Sequence, residues 1–171
     1  MDAPVTIRPE TPADVEAIAV VTKAAFATMA ISEHTEQYIV EALRATGALT
    51  VSLVAEREGR VVGHIAFSPV TISDGTPGWY GLGPVSVLPE HQRQGVGAAL
   101  IRRGLERLKG LEARGCCLVG HPDYYPRLGF EHPPDLAVEG VPSEAFFVFP
   151  FDESVPQGLV TFHEAFRATS H

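Results

Sequence analysis

Gln92, Gly95 and Gly97 follow an apolar run, Val85-Ser86-Val87-Leu88, and open a helical one that ends near Leu111. That order suits the binding of phosphate. Glycine lets a ligand approach the backbone with no Cβ in the way. The first turn of a helix carries N–H groups without intrahelical partners, and the macrodipole places partial positive charge there. An anion can then be held by main chain rather than by a cluster of cations. A plain helix opened by glycine is the bland alternative. Other phosphate loops fit less well. A Walker loop needs Gly-Lys-Ser/Thr, and Ala98 follows Gly97. A dinucleotide fingerprint needs a small residue where Leu100 stands. A kinase loop would need a lysine and a magnesium-binding hydroxyl, and neither is present.

A second group lies downstream. Cys116-Cys117-Leu118-Val119-Gly120 reads as a buried strand, and His121-Pro122-Asp123-Tyr124-Tyr125-Pro126-Arg127-Leu128-Gly129-Phe130 follows it. Gln92-x-x-Gly95-x-Gly97 after a strand resembles the cofactor signature of the GNAT superfamily, the acyl-CoA-dependent N-acyltransferases. Tyr125-x-x-x-Gly129-Phe130 resembles the tyrosine ending of that family, with Tyr124 at the position of the preceding aromatic. Both motifs occur in the family's order.

The resemblance implies acetyl-CoA as acyl donor and transfer of an acetyl group to a primary amine of a small molecule or peptide. It also implies that the fourth and fifth strands splay, so that the cofactor arm pairs with the fourth as an added strand. Gly83-Pro84 is where a bulge is expected in that strand. Main-chain groups of Val85, Ser86 and Val87 would then hold the arm and polarise the carbonyl. Amides of Arg93, Gln94, Gly95, Val96, Gly97 and Ala98 would take the pyrophosphate, and Gln92 would brace the loop. Arg93 would add charge, while Arg102, Arg103 and Arg107 read first as a solvated helix face. Tyr125 is the candidate general acid for the leaving thiolate. A core aromatic is the competing reading for it, and the stronger one for Tyr124. A non-catalytic acyl-CoA sensor of the same fold is the alternative function.

The general base is less defined. His64 comes first, provided its strand lies beside the fourth and faces the cleft, with a water chain equally suited. His121, Glu33, His34 and Glu36 are further candidates. The seven histidines show no metal-site spacing, so no metal is expected.

The elements that must place these residues read in the order strand, two helices, three strands, helix, strand, short helix, two strands. Val5–Arg8 is the first strand, and Thr11-Pro12-Ala13-Asp14 caps a helix. A break spans Ala27–Ser32, and a second helix runs from about His34 to Ala45. Residues 49–55 and 61–68 form a hairpin about Gly59. Tyr80–Val87, Ala145–Phe149 and Gly158–His163 are further strands. The expected fold is α+β in three α/β/α layers. Its central sheet is mixed, mostly antiparallel, and of about seven strands, in a single domain over residues 1–171.

A net charge of −8 speaks against nucleic acid or an anionic membrane as partner and tolerates a cationic amine. No signal segment or membrane span is visible. Cys116 and Cys117 are strand neighbours on opposite faces, so a mutual disulfide is not expected, and buried thiols suit a reducing cytoplasm. The apolar Phe146–Phe149 strand is a candidate surface for a homodimer.

Overall fold

Arg8 and Asp14 set the start of the chain. Strand β1 (Thr6–Pro9) carries Arg8, which donates to Asp14 Oδ2 at 2.7 Å and to Glu56 Oε2 at 2.9 Å. Asp14 also accepts the Thr11 N–H at 2.7 Å, closing the expected capping turn. A short 3-10 turn over Pro12–Asp14 then leads into helix α1 (Val15–Phe26). The computed structural model describes residues 4–27 and 34–169. Most of the expected break, and the candidate Glu33, lie outside those residues.

Helix α2 (Glu36–Ala45) precedes a hairpin of β2 (Val51–Arg57) and β3 (Arg60–Pro69). Then come β4 (Thr71–Ile72), β5 (Trp79–Val87), helix α3 (Val96–Gly110) and β6 (Gly115–Val119). The chain ends with β7 (Leu136–Ala137), β8 (Phe146–Pro150) and β9 (Gly158–Thr161). The main sheet runs β1-β2-β3-β5-β6-β8, and a smaller one runs β4-β9-β7.

Strand alternation divides the core into layers. Ile65 and Phe67 on β3 join Leu53 on β2 and Leu100, Ile101 and Leu108 on α3. On the opposite face, Val54 packs with Ile18 of α1 and Val40 of α2. The small sheet adds a separate core of Val70, Ile72, Trp79, Cys117, Phe146, Val148 and Val160. Cys116 and Cys117 are wholly buried, as free thiols, in different clusters. This is the expected α+β layering, with one difference in the sheet. The last strand leaves the main sheet, because Ser73 Oγ accepts the Leu159 N–H at 2.8 Å and Asp74 accepts the Gln157 N–H at 3.0 Å.

Two irregularities shape the site. Strand β5 pairs with β6 in parallel at Trp79–Gly115, Tyr80–Cys116 and Gly81–Cys117, and the ladder ends there. Beyond it β5 continues to Val87 against β3 alone, while β6 continues against β8. The expected splay therefore opens after Gly81. The second irregularity is a register shift. Ile65 faces Val85, but Phe67 faces Leu82, which leaves Gly83 and Pro84 as a bulge on β5.

Phe146 and Phe147 are buried in the chain's own cores. Glu131 also bridges to Val148 on the outer side of β8. Of the apolar strand singled out for dimerisation, Phe146, Phe147 and Val148 are buried within the chain, while Phe149 and Pro150 are partly exposed.

Candidate active site

The glycine turn is built from the end of β5. A 3-10 turn over Pro89–His91 reverses the chain. Gln92 Nε2 then donates back to the Val87 carbonyl at 3.0 Å, bracing the loop. Arg93 takes φ 64 and Gly95 φ 83, both left-handed. The first bond of α3 runs from the Ala99 N–H to the Gly95 carbonyl at 3.0 Å. The amides of Val96, Gly97 and Ala98 therefore have no acceptor inside the helix.

Gly95 owes its identity to its backbone angle. Gly97 does not, because it lies in ordinary helix. A Cβ there would meet only the Tyr124 hydroxyl at 3.5 Å and Val87 Cγ2 at 3.8 Å, which are ordinary contacts. Neither protein packing nor φ demands glycine at position 97. A glycine there leaves the main chain open to close approach by an anion, so this turn fits a diphosphate.

Sequence reasoning missed Arg57. Its Nη1 donates to Gln94 Oε1 at 2.8 Å and lies 2.8 Å from His91 Nδ1. The hairpin thus holds the loop from a point 37 residues away, a separation that no local pattern reveals. Arg102, Arg103 and Arg107 are exposed along α3.

Tyr125 opens a 3-10 turn over Tyr125–Leu128 that ends at Gly129, φ 94. Its ring is buried against Tyr124, Phe130 and Phe147 at centroid distances of 5.0, 5.8 and 5.8 Å. Gly120 gives it room, since a Cβ there would collide with the ring. Burial pushes the phenol up to about 12. Tyr124 is 37% exposed, and its hydroxyl is the one that reaches the first turn of α3.

Val85 and Val87 turn their side chains toward α3 and leave Ser86 on the opposite face. Ser86 pairs with His64 across β3 and β5, so His64 does lie on the strand beside β5. Its ring, however, does not face an open cleft. His64 is 0% exposed, and burial pulls it down to about 4. As a base in direct contact with an acceptor, His64 is corrected by this burial. Its Nε2 lies 2.8 Å from Ser52 Oγ and 4.0 Å from Glu10 Oε1. Ser52 donates to Glu10, which also accepts from Arg44 at 2.9 and 3.0 Å. Burial alone would raise Glu10, but the bonds from Arg44 and Ser52 hold it below the usual carboxylate range. This cluster was not visible in the sequence.

His121 is exposed, 3.9 Å from Asp123. His34 and Glu36 stand at the start of α2. Among the described residues, no group of three or more His, Cys, Asp or Glu could hold a metal ion. No helix of the described residues is long and apolar enough to cross a membrane.

Residues 49–132 match the model of the acetyltransferase (GNAT) domain. The uncharacterized N-acetyltransferase YjhQ of Escherichia coli is 43% identical over 83 residues, 47% of this chain and 46% of YjhQ. The N-acetyltransferase YhbS of the same organism is 35% identical over 126 residues, 73% of this chain and 72% of YhbS. Among solved structures, a GNAT acetyltransferase from Brucella melitensis in complex with acetyl-CoA is 50% identical, with a TM-score of 0.85. That likeness covers 95% of this chain and 98% of the other. YhbS in complex with CoA superimposes with a TM-score of 0.87 at 30% identity, covering 99% and 96%. With its parted strands, glycine turn and tyrosine helix joined to these likenesses, the chain belongs to the GNAT superfamily of N-acetyltransferases and is an acyltransferase.

Proposed function

We propose that the chain moves an acetyl group from acetyl-CoA to a primary amine of a small molecule or peptide, by direct attack on the thioester. One observation carries this reading. The β5–β6 ladder ends at Gly81, and β5 beyond it leads through the turn to the amides of Val96, Gly97 and Ala98, which have no acceptor inside the helix. An extended arm ending in a diphosphate matches that track. Acetyl-CoA-bound and CoA-bound relatives of high similarity support the same donor.

Acetyl-CoA supplies an activated acyl group when bound. Main chain at Val85, Ser86 and Val87 aligns the arm and offers N–H groups to the carbonyl oxygen, a preorganised donor that favours developing negative charge. The Val87 carbonyl is engaged by Gln92, which fixes the end of β5 for this role. The turn from Arg93 through Gln94, Gly95, Val96 and Gly97 to Ala98 holds the diphosphate. Tyr125 keeps its proton across the working pH range and gives it to the departing sulfur. Residues 1–171 act as one domain, and buried thiols suit a reducing cytoplasm.

The test is release of free CoA thiol across an amine panel, comparing wild type with Tyr125→Phe. Amine-dependent release that the variant loses supports the reading. Binding of acetyl-CoA without release over the whole panel would leave an acyl-CoA sensor instead.

A further inference from the structure

An amine acceptor reaches the protein mostly as ammonium at neutral pH. Each amide formed from it therefore discharges one proton that must travel to water. Four side chains on the α1/α2 face of the sheet lie in line for that task.

The hydrogen bonds place a proton on His64 Nε2. Glu10 is a carboxylate and accepts only, so Ser52 spends its hydroxyl hydrogen on Glu10. The contact between Ser52 Oγ and His64 Nε2 must then be a donation from Nε2–H. Full burial keeps the ring uncharged, so with the proton on Nε2 the lone pair is on Nδ1. The two ring nitrogens point nearly opposite ways, so Nε2 facing Ser52 on β2 turns Nδ1 toward β5. There Ser86 is its direct strand partner on the same face. Among the described residues, His64 Nδ1 and Ser86 Oγ are both buried side-chain atoms with no hydrogen-bond partner. Groups so placed on paired strands are spaced to share a bridging water. At the other end, Glu10 is 17% exposed. Together with Arg44, Ser52, Pro9, Thr50 and Arg107 it lines a cleft of about 310 Å³.

We propose, on the acyl-transfer reading above, that Ser86, His64, Ser52 and Glu10 form a proton relay from the open edge of β5 to the Glu10 cleft. The ammonium N–H bond breaks toward a water at the open edge of β5, and the proton passes through the Ser86 hydroxyl, itself 2% exposed, to Nδ1. Nε2 releases its proton to Ser52 Oγ, and Ser52 passes its own to the Glu10 carboxylate. Glu10 then discharges to solvent. One proton enters and one leaves, no electrons move, and rotation of the hydroxyls and ring restores the starting order. His64 acts here as a relay, not as a base touching the acceptor. Glu10 and Arg44 are the charged groups acting on it.

Two measurements test the relay. Nitrogen NMR on the labelled protein, without acceptor, should show His64 neutral with its proton on Nε2 from pH 6 to 9, and a proton on Nδ1 would overturn the relay. Kinetics with the amine that turns over fastest should show Ser52→Ala and His64→Gln losing kcat by about 10²-fold. Ser52→Thr keeps the hydroxyl and should retain activity. The loss should be greatest below the pKa of the acceptor and shrink above it, with CoA affinity unchanged by calorimetry. Wild-type kcat, or a loss independent of pH, would overturn the relay. Absence of turnover with every amine would instead count against the acyl-transfer reading, and the tautomer would still decide the relay.

Discussion

Gly97 and Tyr124 meet at the first turn of α3, where a Cβ on Gly97 would stand 3.5 Å from the Tyr124 hydroxyl. The fold has room for that carbon; on the proposed reading, a diphosphate lying on the same backbone would not. Gly97→Ala should therefore leave the melting temperature near wild type while weakening CoA binding by about 10-fold or more. Gly95→Ala should differ, because its φ of 83 costs a side chain about 1–2 kcal/mol. Calorimetric titration with CoA, paired with thermal denaturation, separates the two effects.

Tyr125→Phe keeps every ring contact and removes only the hydroxyl. Thiol release should fall by about 10²-fold or more, with the fold intact. Burial places the phenol at about 12, so its ionisation should not limit the wild-type rate up to pH 10. A rate that drops with an apparent pKa well below 10 through loss of this proton would contradict the assignment.

Arg57→Ala releases the loop from the hairpin. A net loss of about 1 kcal/mol in loop bracing predicts an increase of about 5-fold in KM for acetyl-CoA, with kcat little changed. Steady-state kinetics with varied acetyl-CoA is the check.

Two groups make the fold sensitive to acid in separate windows. His64 drops from about 6.5 in the unfolded chain to about 4 when folded. Below pH 6.5 the unfolded state gains the proton first, so stability present at neutral pH is lost as pH falls toward 4. Asp14 is held well below the usual carboxylate range, chiefly by its hydrogen bonds from Arg8, with burial opposing. Its contribution is complete above about pH 4 and is lost as pH falls further. His64→Gln should flatten the upper window only. Asp14→Asn should cost about 1–3 kcal/mol at pH 7 and flatten the lower one. Denaturant titrations from pH 8 to 3 read both slopes.

Helix α3, the hairpin and the glycine turn were legible because each carries a local signal of period, cap or turn. Thr11 with Asp14 and Gly95 with Gly97 encode their geometry within a few residues. Strands β4 and β7, of two residues each, are too short for any period, and β9 is drawn out of the main sheet by Ser73 and Asp74. Alternation established that His64 and Ile65 face opposite ways, but not which side would be sealed. That depended on α1 and α2 covering the face that carries Val54 and His64. Likewise Glu10 meets Ser52 across 42 residues, and Arg57 meets Gln94 across 37. Such pairings arise only once the sheet has formed.

Cys116 and Cys117 sit at zero exposure, and burial lifts Cys117 to about 12 and Cys116 well above the usual thiol range. In the native state neither sulfur offers an accessible thiolate to a disulfide reagent or a maleimide. A chromophoric sulfhydryl assay on the folded enzyme should therefore report product alone. A single cysteine engineered onto the surface could carry a spectroscopic label without first removing the resident pair.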